Sequence, residues 1–298
     1  MLRLLFTGAS GFLGNNILPL LKEQYDVTTI GLTDTDDIKI NMAKEVPVLN
    51  NRYDVVLHAA GKAHTIPRTK EEEQVFYDVN LTGTIHLCDA LEKVGYPKSL
   101  VFISTVAVYG CESGELIDET HPLDGDSPYA DSKKQAEKYL LTWCKEHGVN
   151  LTILRPSLLA GHNAPGNLGS MVEGVRKGYY LNIAGGKVKK SVLMAEDIAR
   201  LLPLVEDKSG IYNVCDSYQP SFGELSASVA RQLGRRKPIS IPYWMAWCMA
   251  KVGDLLGSKA PINSYKLSKM TESLTFSNEK ALRELGWEPL DVLRNYKI

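Results

Sequence analysis

Short apolar runs of strand length recur along the chain, with segments of helical length between them. Alternation of this kind predicts βαβ units and an α/β fold built on a doubly wound parallel sheet. Several runs are continuously apolar, which is typical of strands buried on both faces. The predicted strands are Leu2–Phe6, Val27–Ile30, Val55–Ala60, Leu100–Ser104, Leu151–Leu154 and, after a helix around Glu196–Val205, Gly210–Val214.

The pattern changes after Arg155-Pro156, where a Gly/Asn/Pro-rich stretch at His162–Asn167 interrupts the alternation. Because a strand-like run follows later, at Gly210–Val214, we expect the chain to leave the sheet after residue 156 and to return later with its last strand. The sequence therefore predicts a larger domain of residues 1–156 plus about 192–216, and a smaller, discontinuous C-terminal domain of about 157–191 plus 217–298. A helix over Asn278–Trp287 should end at Gly286, a favourable C-cap.

The most apolar late segment, Tyr243–Leu256, is interrupted by Lys251 and Asp254. It is shorter than the roughly 20 residues that a membrane span requires, so no membrane insertion is expected. We interpret it as an amphipathic helix packed in the core. Its aromatic end, with Trp244 and Trp247, leaves contact with a membrane surface or a partner as the alternative.

Composition restricts the classes of partner. The 298 residues carry 34 basic and 35 acidic side chains, and the formal charge of −1 offers no general attraction for nucleic acid. Five widely spaced cysteines lack the spacing of a zinc site, so no metal is expected and reduced thiols in a cytoplasmic protein are the simplest interpretation. The first strand begins at once, which predicts the absence of a signal peptide. The cysteines are Cys88, Cys111, Cys144, Cys215 and Cys248.

A glycine-rich loop joins the first predicted strand to the first predicted helix. Three glycines at this turn permit a tight bend and the close approach of a pyrophosphate to the amides of the helix N-terminus. In this context the motif predicts a dinucleotide site in a Rossmann-like domain. Pro19 should kink the helix or mark a late start. The predicted cofactor-binding residues of the loop are Gly8, Ser10, Gly11, Phe12, Leu13 and Gly14.

The choice of dinucleotide is open at this stage. A carboxylate at the end of the second strand normally binds the adenine ribose, but Gly31 stands there. Asp34, Asp36 and Asp37 follow and either reach back or form a solvated turn, which is the preferred interpretation. Both NAD and NADP are therefore retained as cofactors.

A tyrosine and a lysine four residues apart, Tyr129 and Lys133, stand at the start of a predicted helix and hence on one face. A tyrosine with a pKa near 10 is about one part in a thousand ionised at pH 7. A neighbouring ammonium and an oxidised nicotinamide both favour the phenolate, which makes general base catalysis near neutrality feasible.

Upstream, a strand ends in Ser104-Thr105 and runs into Tyr109-Gly110. With the glycine loop and the Tyr/Lys pair, the chain resembles the extended short-chain dehydrogenase/reductases, in particular the NAD-dependent epimerase/dehydratase family and its nucleotide-sugar epimerase and 4-ketoreductase branch. The resemblance implies Thr105, Tyr129 and Lys133 as catalytic residues, with Ser104 a weaker candidate for the hydroxyl. Tyr129 and Lys133 would also contact the cofactor, together with Ala59, Ala60, Gly61 and Asn80.

The same resemblance implies contacts with a nucleotide sugar. Asn167 and Leu168 match the family's substrate-binding Asn-Leu pair, Lys190 stands where relatives present an arginine, and Thr105 would also touch the substrate. Ser273 or Leu274 lies near the position that admits or excludes an N-acetyl group.

The leading hypothesis is an NAD(P)-dependent 4-epimerase of a UDP-hexose or UDP-N-acetylhexosamine, in a homodimer. The alternative is an NADPH-dependent reductase of a 4-keto-6-deoxy nucleotide sugar. A 4,6-dehydratase ranks lower, because family dehydratases carry carboxylates where this chain has Val106-Ala107. A non-catalytic NAD(P)-binding regulator is the remaining alternative.

Overall fold

Strands and helices alternate along the chain in this computed structural model, which describes residues 1–63, 65–256 and 262–298. The strands are β1 (Arg3–Thr7), β2 (Asp26–Gly31), β3 (Ile38–Lys39), β4 (Val55–His58), β5 (Ser99–Ile103), β6 (Gly114–Ile117), β7 (Asn150–Pro156), β8 (Leu158–Ala160), β9 (Asn182–Ile183), β10 (Val192–Met194), β11 (Gly210–Val214), β12 (Ser240–Ile241) and β13 (Leu274–Phe276).

The helices connect and cover these strands. They are α1 (Phe12–Lys22), α2 (Lys70–Tyr77), α3 (Gly83–Val94), α4 (Pro128–His147), α5 (Gly166–Lys177), α6 (Glu196–Val205), α7 (Phe222–Gln232), α8 (Tyr243–Leu256), α9 (Ser264–Thr271), α10 (Glu279–Leu285) and α11 (Val292–Asn295). A π-helical turn spans Asp78–Thr82, and 3₁₀ turns span Val106–Tyr109 and Ala184–Gly186.

Seven of the described strands form one parallel sheet in the order β11-β7-β5-β4-β1-β2-β3. Alternate residues point to opposite faces, so Leu4 and Phe6 pack with α1 and α6 while Leu5 packs with α3 and α4. Both faces are covered, which requires the apolar runs seen in the sequence. The predicted doubly wound, Rossmann-like α/β fold is confirmed.

The predicted elements of the sheet lie within two residues of the observed ones, and β11 and α6 have the predicted bounds. Helix α1 begins at Phe12 and continues through Pro19 to Lys22, so the late start is wrong. Gly286 ends α10 in the left-handed conformation, with φ of 65° and its amide bonded to the Leu282 carbonyl, as expected of a C-cap.

Three short parallel strand pairs lie outside the seven-stranded sheet. They join β8 to β10, β9 to β12 and β6 to β13. They are too short for a period of two to reveal them in the sequence. Helices α5, α7 and α11 pack there around Leu168, Met171 and Val229. Ala281 and Leu285 of α10 instead join the cluster on the α1 side of the sheet. The domain boundaries stay a prediction.

Helix α8 has the predicted bounds but not the predicted burial. Over the residues whose side chains are described, Tyr243–Leu255, the buried ones are the small Ala246, Ala250 and Gly253, whereas Trp244 and Trp247 are 65% and 47% exposed. The prediction of a core helix is therefore wrong, because the neighbouring elements cover only this narrow stripe. No helix among the described residues is long and apolar enough to cross a membrane.

Candidate active site

The glycine loop lies at the carboxyl edge of the sheet, where β1 and β4 end. Gly8 has φ of +81°, and a Cβ there would lie 2.7 Å from the amide nitrogen of Ala60. A Cβ on Gly14 would lie 2.1 Å from the Ala9 carbonyl oxygen, so only glycine allows α1 to start this close to β1. The N-cap of α1, Gly11, provides no side-chain acceptor for the first amides. This cradle fits a pyrophosphate bound by the helix N-terminus.

The other predicted loop residues lie in the same turn. Ser10 is half-buried, and the Phe12 side chain packs against the cluster around Leu168. The Leu13 side chain packs against the cluster that α1 and α6 form on their face of the sheet. The side chains of Phe12 and Leu13 are therefore engaged in packing, and their backbone amides are the groups available to an anion.

The segment after β4 meets the buried end of α4. A Cβ on Gly61 would lie 3.1 Å from Asn80 Oδ1 and 3.2 Å from Lys133 Nζ. Asn80 Oδ1 accepts from the Lys62 amide at 2.8 Å, and its Nδ2 donates to the Ser132 hydroxyl at 2.9 Å. The predicted residues Gly61, Asn80 and Lys133 are thus neighbours, and Ala59 and Ala60 precede them along the same edge.

Thr105 and Tyr129 meet through their side chains beside this segment. Thr105 begins the 3₁₀ turn after β5, and its hydroxyl accepts from the Ala107 amide at 3.1 Å. Burial raises the pKa of Tyr129, and the side-chain hydrogen bond with Thr105 partly offsets this. The phenol is therefore protonated near neutral pH unless a positive charge is brought close to it.

Lys133 lies one turn further along α4 and is almost fully buried. Its Nζ donates to the carbonyl of Ile103 at 2.8 Å and lies 4.5 Å from the centroid of the Phe102 ring. Burial lowers the pKa of Lys133 to about 8, while the charge of Glu137 acts in the opposite direction. The ammonium is thus anchored at the end of β5, within the site.

His58, at the end of β4, is a structural residue. Its Nδ1 pairs with the Thr7 hydroxyl at 2.7 Å and its Nε2 with the Thr84 hydroxyl at 2.8 Å. Burial, assisted by the charge of Lys133, lowers the pKa of His58 to about 3. The ring stays neutral at physiological pH and ties β1 to β4 and α3.

A buried ion pair next to Lys133 was not predicted from the sequence. Arg155 donates to both carboxylate oxygens of Glu137, at 3.1 and 2.6 Å, and also to the Tyr109 hydroxyl at 3.0 Å. Ser104 donates to the same carboxylate. The available signal was the position of Glu137, one turn after Lys133 on the buried face of α4.

Asp36 folds back against the end of β2. A Cβ on Gly31 would lie 2.3 Å from Asp36 Oδ2, so the carboxylate fills the space that a side chain at position 31 would occupy. Asp36 is only 8% exposed, and its Oδ2 accepts from the Thr33 amide at 3.0 Å and hydroxyl at 2.7 Å. The Gly8 amide donates to Ile30, which places the glycine loop beside this strand end.

The other two acidic residues of this turn differ from Asp36. The side chain of Asp34 is 90% exposed and pairs with Lys39. Asp37 Oδ2 accepts from the amide and hydroxyl of Thr29 at 2.8 and 2.9 Å. The solvated-turn interpretation therefore describes Asp34 and is wrong for Asp36.

Three of the four predicted substrate residues, Asn167, Leu168 and Lys190, lie in the predicted smaller domain, and the fourth, Thr105, follows β5. Asn167 is exposed in the first turn of α5, whereas the Leu168 side chain is buried in the core, which leaves its amide as the group that can meet a ligand. Lys190 forms a parallel bridge with Leu274, one of the two residues predicted near the N-acetyl group. The Ser157 hydroxyl, directly after β7, is buried and has no hydrogen-bond partner among the described residues.

Comparison with known proteins identifies the family to which the chain belongs. The sequence profile of the NAD-dependent epimerase/dehydratase family matches residues 4–215. The chain belongs to this family. The expected NAD(P) cofactor is confirmed, and the protein is an enzyme of the extended short-chain dehydrogenase/reductase type, whose relatives are epimerases.

Two curated relatives match nearly the whole chain. The N-acetyl-α-D-glucosaminyl-diphospho-ditrans,octacis-undecaprenol 4-epimerase of Escherichia coli O157:H7 is 27% identical over 296 residues, 93% of this chain and 87% of the relative. The UDP-glucose 4-epimerase of Vibrio cholerae is 26% identical over 319 residues, 98% and 92% of the two chains. Among solved structures, RMD from Pseudomonas aeruginosa in complex with NADPH superimposes on this chain with a TM-score of 0.74 at 20% sequence identity. The match covers 99% of this chain and 96% of the other.

Proposed function

We propose that the protein is a 4-epimerase of sugars linked to a diphosphate, acting through Tyr129. The observation that carries the proposal is the proximity of the Tyr129 and Thr105 side chains at the carboxyl edge of the sheet, the edge that also carries the glycine cradle. A sugar hydroxyl that entered between this pair and the dinucleotide would meet both a base and a hydrogen-bond donor.

The nicotinamide of the dinucleotide supplies the hydride acceptor and donor when bound. Tyr129 takes the proton from the sugar 4-hydroxyl. It returns the proton after the 4-keto sugar has rotated in the site and presents its other face to the nicotinamide. Thr105 holds the same oxygen by a hydrogen bond, while Ser104 donates to Glu137 and is unavailable for this role. The ammonium of Lys133, held by the Ile103 carbonyl, contributes positive charge that favours the phenolate.

We infer that the cofactor is NAD rather than NADP. The Asp36 carboxylate takes the place of the missing acidic side chain at position 31 and is suited to accept hydrogen bonds from ribose hydroxyls. A 2′-phosphate would meet a buried like charge there. Retained NAD suits an epimerase, which regenerates its cofactor in each turnover.

The substrate carries a diphosphate next to the sugar. Both curated relatives are named for such compounds, one with uridine and one with undecaprenol as the carrier. We assign its recognition to Lys190 and to the first turn of α5, at Asn167 and Leu168, where the helix dipole favours an anion. The residues after Thr105, Val106 and Ala107, carry no acid for dehydration, which argues against a dehydratase.

Conversion without added cofactor tests this proposal. The purified protein, whose bound nucleotide is identified by mass spectrometry, is incubated with UDP-glucose, UDP-N-acetylglucosamine or the corresponding lipid diphosphate. We expect formation of the 4-epimer by the wild type and a loss of at least about 100-fold in Tyr129→Phe, the usual contribution of a general base. Stoichiometric consumption of NADPH with a 4-keto sugar would instead establish the ketoreductase alternative. Unchanged activity in Tyr129→Phe would exclude the catalytic role.

A further inference from the structure

Helix α8 exposes most of its apolar surface. Among the described side chains of the helix, Tyr243–Leu255, only a stripe of small residues, Ala246, Ala250 and Gly253, is buried, and the first two pack with Ile183 and Leu267. On the opposite side, Trp244 is 65% exposed and Leu255 is 88% exposed. A solvent-facing helix normally carries polar residues on that side.

The exposed apolar residues are concentrated here. Of the twenty large hydrophobic residues that are exposed among those described, eight lie within seventeen positions of the chain. Scattered apolar residues are normal on a surface, but a contiguous group marks an interaction site. The eight are Ile239, Tyr243, Trp244, Met245, Trp247, Met249, Val252 and Leu255.

Basic residues lie on α8 and in the segment of the chain that leads into it. Between Arg231 and Leu256 the chain carries five basic residues and one acidic residue, although its overall formal charge is −1. Arg235, Arg236 and Lys237 are exposed just before β12, and Lys251 Nζ lies 5.7 Å from the centroid of the Trp247 ring. The one acidic residue, Asp254, accepts hydrogen bonds from Ser264 and lies 3.8 Å from Lys251 Nζ, so the positive charge left unpaired among the described residues of this segment is that of Arg231 and Arg235–Lys237.

We propose that this surface, the α8 surface (Arg235–Lys237 and Ile239–Leu255), docks on an anionic phospholipid bilayer. Tryptophan and tyrosine next to basic side chains are typical of helices that lie in the membrane interface. With 14 residues α8 is about 21 Å long, which is too short to cross a hydrocarbon layer of roughly 30 Å, so it lies on the surface.

The charge favours a bilayer over a second copy of the chain. A two-fold interface centred on α8 would bring the basic residues of both copies together, whereas anionic headgroups complement them. The α8 surface belongs to the smaller part of the chain, so docking would hold the sugar-binding region next to lipid-linked diphosphates. This consequence rests on the proposed function, but the docking itself does not.

Vesicle binding tests the proposal directly on the full-length protein. Flotation with phosphatidylcholine vesicles containing one quarter phosphatidylglycerol should recover the wild-type protein, and pure phosphatidylcholine should bind at least tenfold less. Raising the salt concentration should weaken binding, because the attraction is partly electrostatic. Equal flotation with both lipids, or none with either, would overturn the proposal.

Tryptophan fluorescence locates the contact. Trp143 and Trp287 are buried, so Trp244 and Trp247 are the tryptophans that a lipid quencher can reach. Vesicles with brominated acyl chains should quench the wild type and leave a Trp244→Phe/Trp247→Phe variant unaffected. Quenching that persists in this variant would place the contact elsewhere.

Two substitutions separate docking from folding and from catalysis. Arg235→Glu/Arg236→Glu should reduce flotation at least tenfold, whereas Lys138→Glu/Lys145→Glu, the same change at exposed positions of α4, should not. Turnover of a water-soluble UDP sugar should be equal in all three proteins. If the Trp double variant changes the size of the lipid-free protein instead of its flotation, α8 contacts a second copy and the proposal is wrong.

Discussion

Replacement of Asp36 by alanine should reverse much of the preference for NAD over NADP that we propose for this protein. The carboxylate lies against Gly31 at the end of β2 and is 8% exposed, so water screens it little. A hydrogen bond to a charged acceptor contributes about 1.5–3 kcal/mol. Its loss should weaken NAD binding by about 10- to 150-fold.

The same substitution should strengthen NADP binding. Two like charges 4 Å apart repel by about 4 kcal/mol at an effective dielectric constant of 20. Relief of only a quarter of that repulsion strengthens NADP binding about fivefold, so the ratio of the two dissociation constants should change by about 50-fold or more.

Titration calorimetry with NAD and NADP on nucleotide-free protein measures both dissociation constants. Asp34→Ala is the matched control, because it removes the same charge from the same turn at a side chain that is 90% exposed. Asp36→Asn keeps the shape of the side chain and removes its charge. Compared with the wild type, it should bind NADP more strongly and NAD more weakly. A ratio within twofold of wild type in Asp36→Ala, or an equal change in Asp34→Ala, would refute the assignment.

Three further predictions concern the catalytic edge. Glu137→Gln leaves Arg155 buried without a counter-charge and should lower the free energy of unfolding by about 3–5 kcal/mol in denaturant titration, with much of the loss recovered in Glu137→Met/Arg155→Met. Ser157→Ala removes a buried hydroxyl that has no hydrogen-bond partner among the described residues, so the free energy of unfolding should stay unchanged. If this hydroxyl binds the substrate, the substitution should raise KM, and an unchanged KM would exclude the contact. Because burial lowers the pKa of Lys133 to about 8, kcat should fall as the pH rises through that value and the ammonium is lost, and Lys133→Met should abolish this limb.

The central sheet and the positions of Tyr129 and Lys133 on one face of α4 were predictable because their signals are local. Apolar runs such as Val55–His58 reveal buried strands, and the spacing of Tyr129 and Lys133 places both on one helix face. The position of Asp36 was not predictable in this way. Gly31 stands at the usual position of the ribose carboxylate, and the fold of the turn between them places the Asp36 carboxylate beside Gly31. Distance along the chain is a poor guide here, because the turn brings Asp36 next to a strand end five residues earlier.

Helix α8 shows a different limit of sequence patterns. The apolar residues of Tyr243–Leu256 define the helix, but burial depends on what the rest of the chain can place against it. Its neighbours cover only the stripe of Ala246, Ala250 and Gly253. Because exposed tryptophans would otherwise cost hydration free energy, the pattern is understandable if the missing cover is external to the chain. An apolar helix in a sequence thus predicts burial, and only the structure shows how much of that helix the rest of the chain covers.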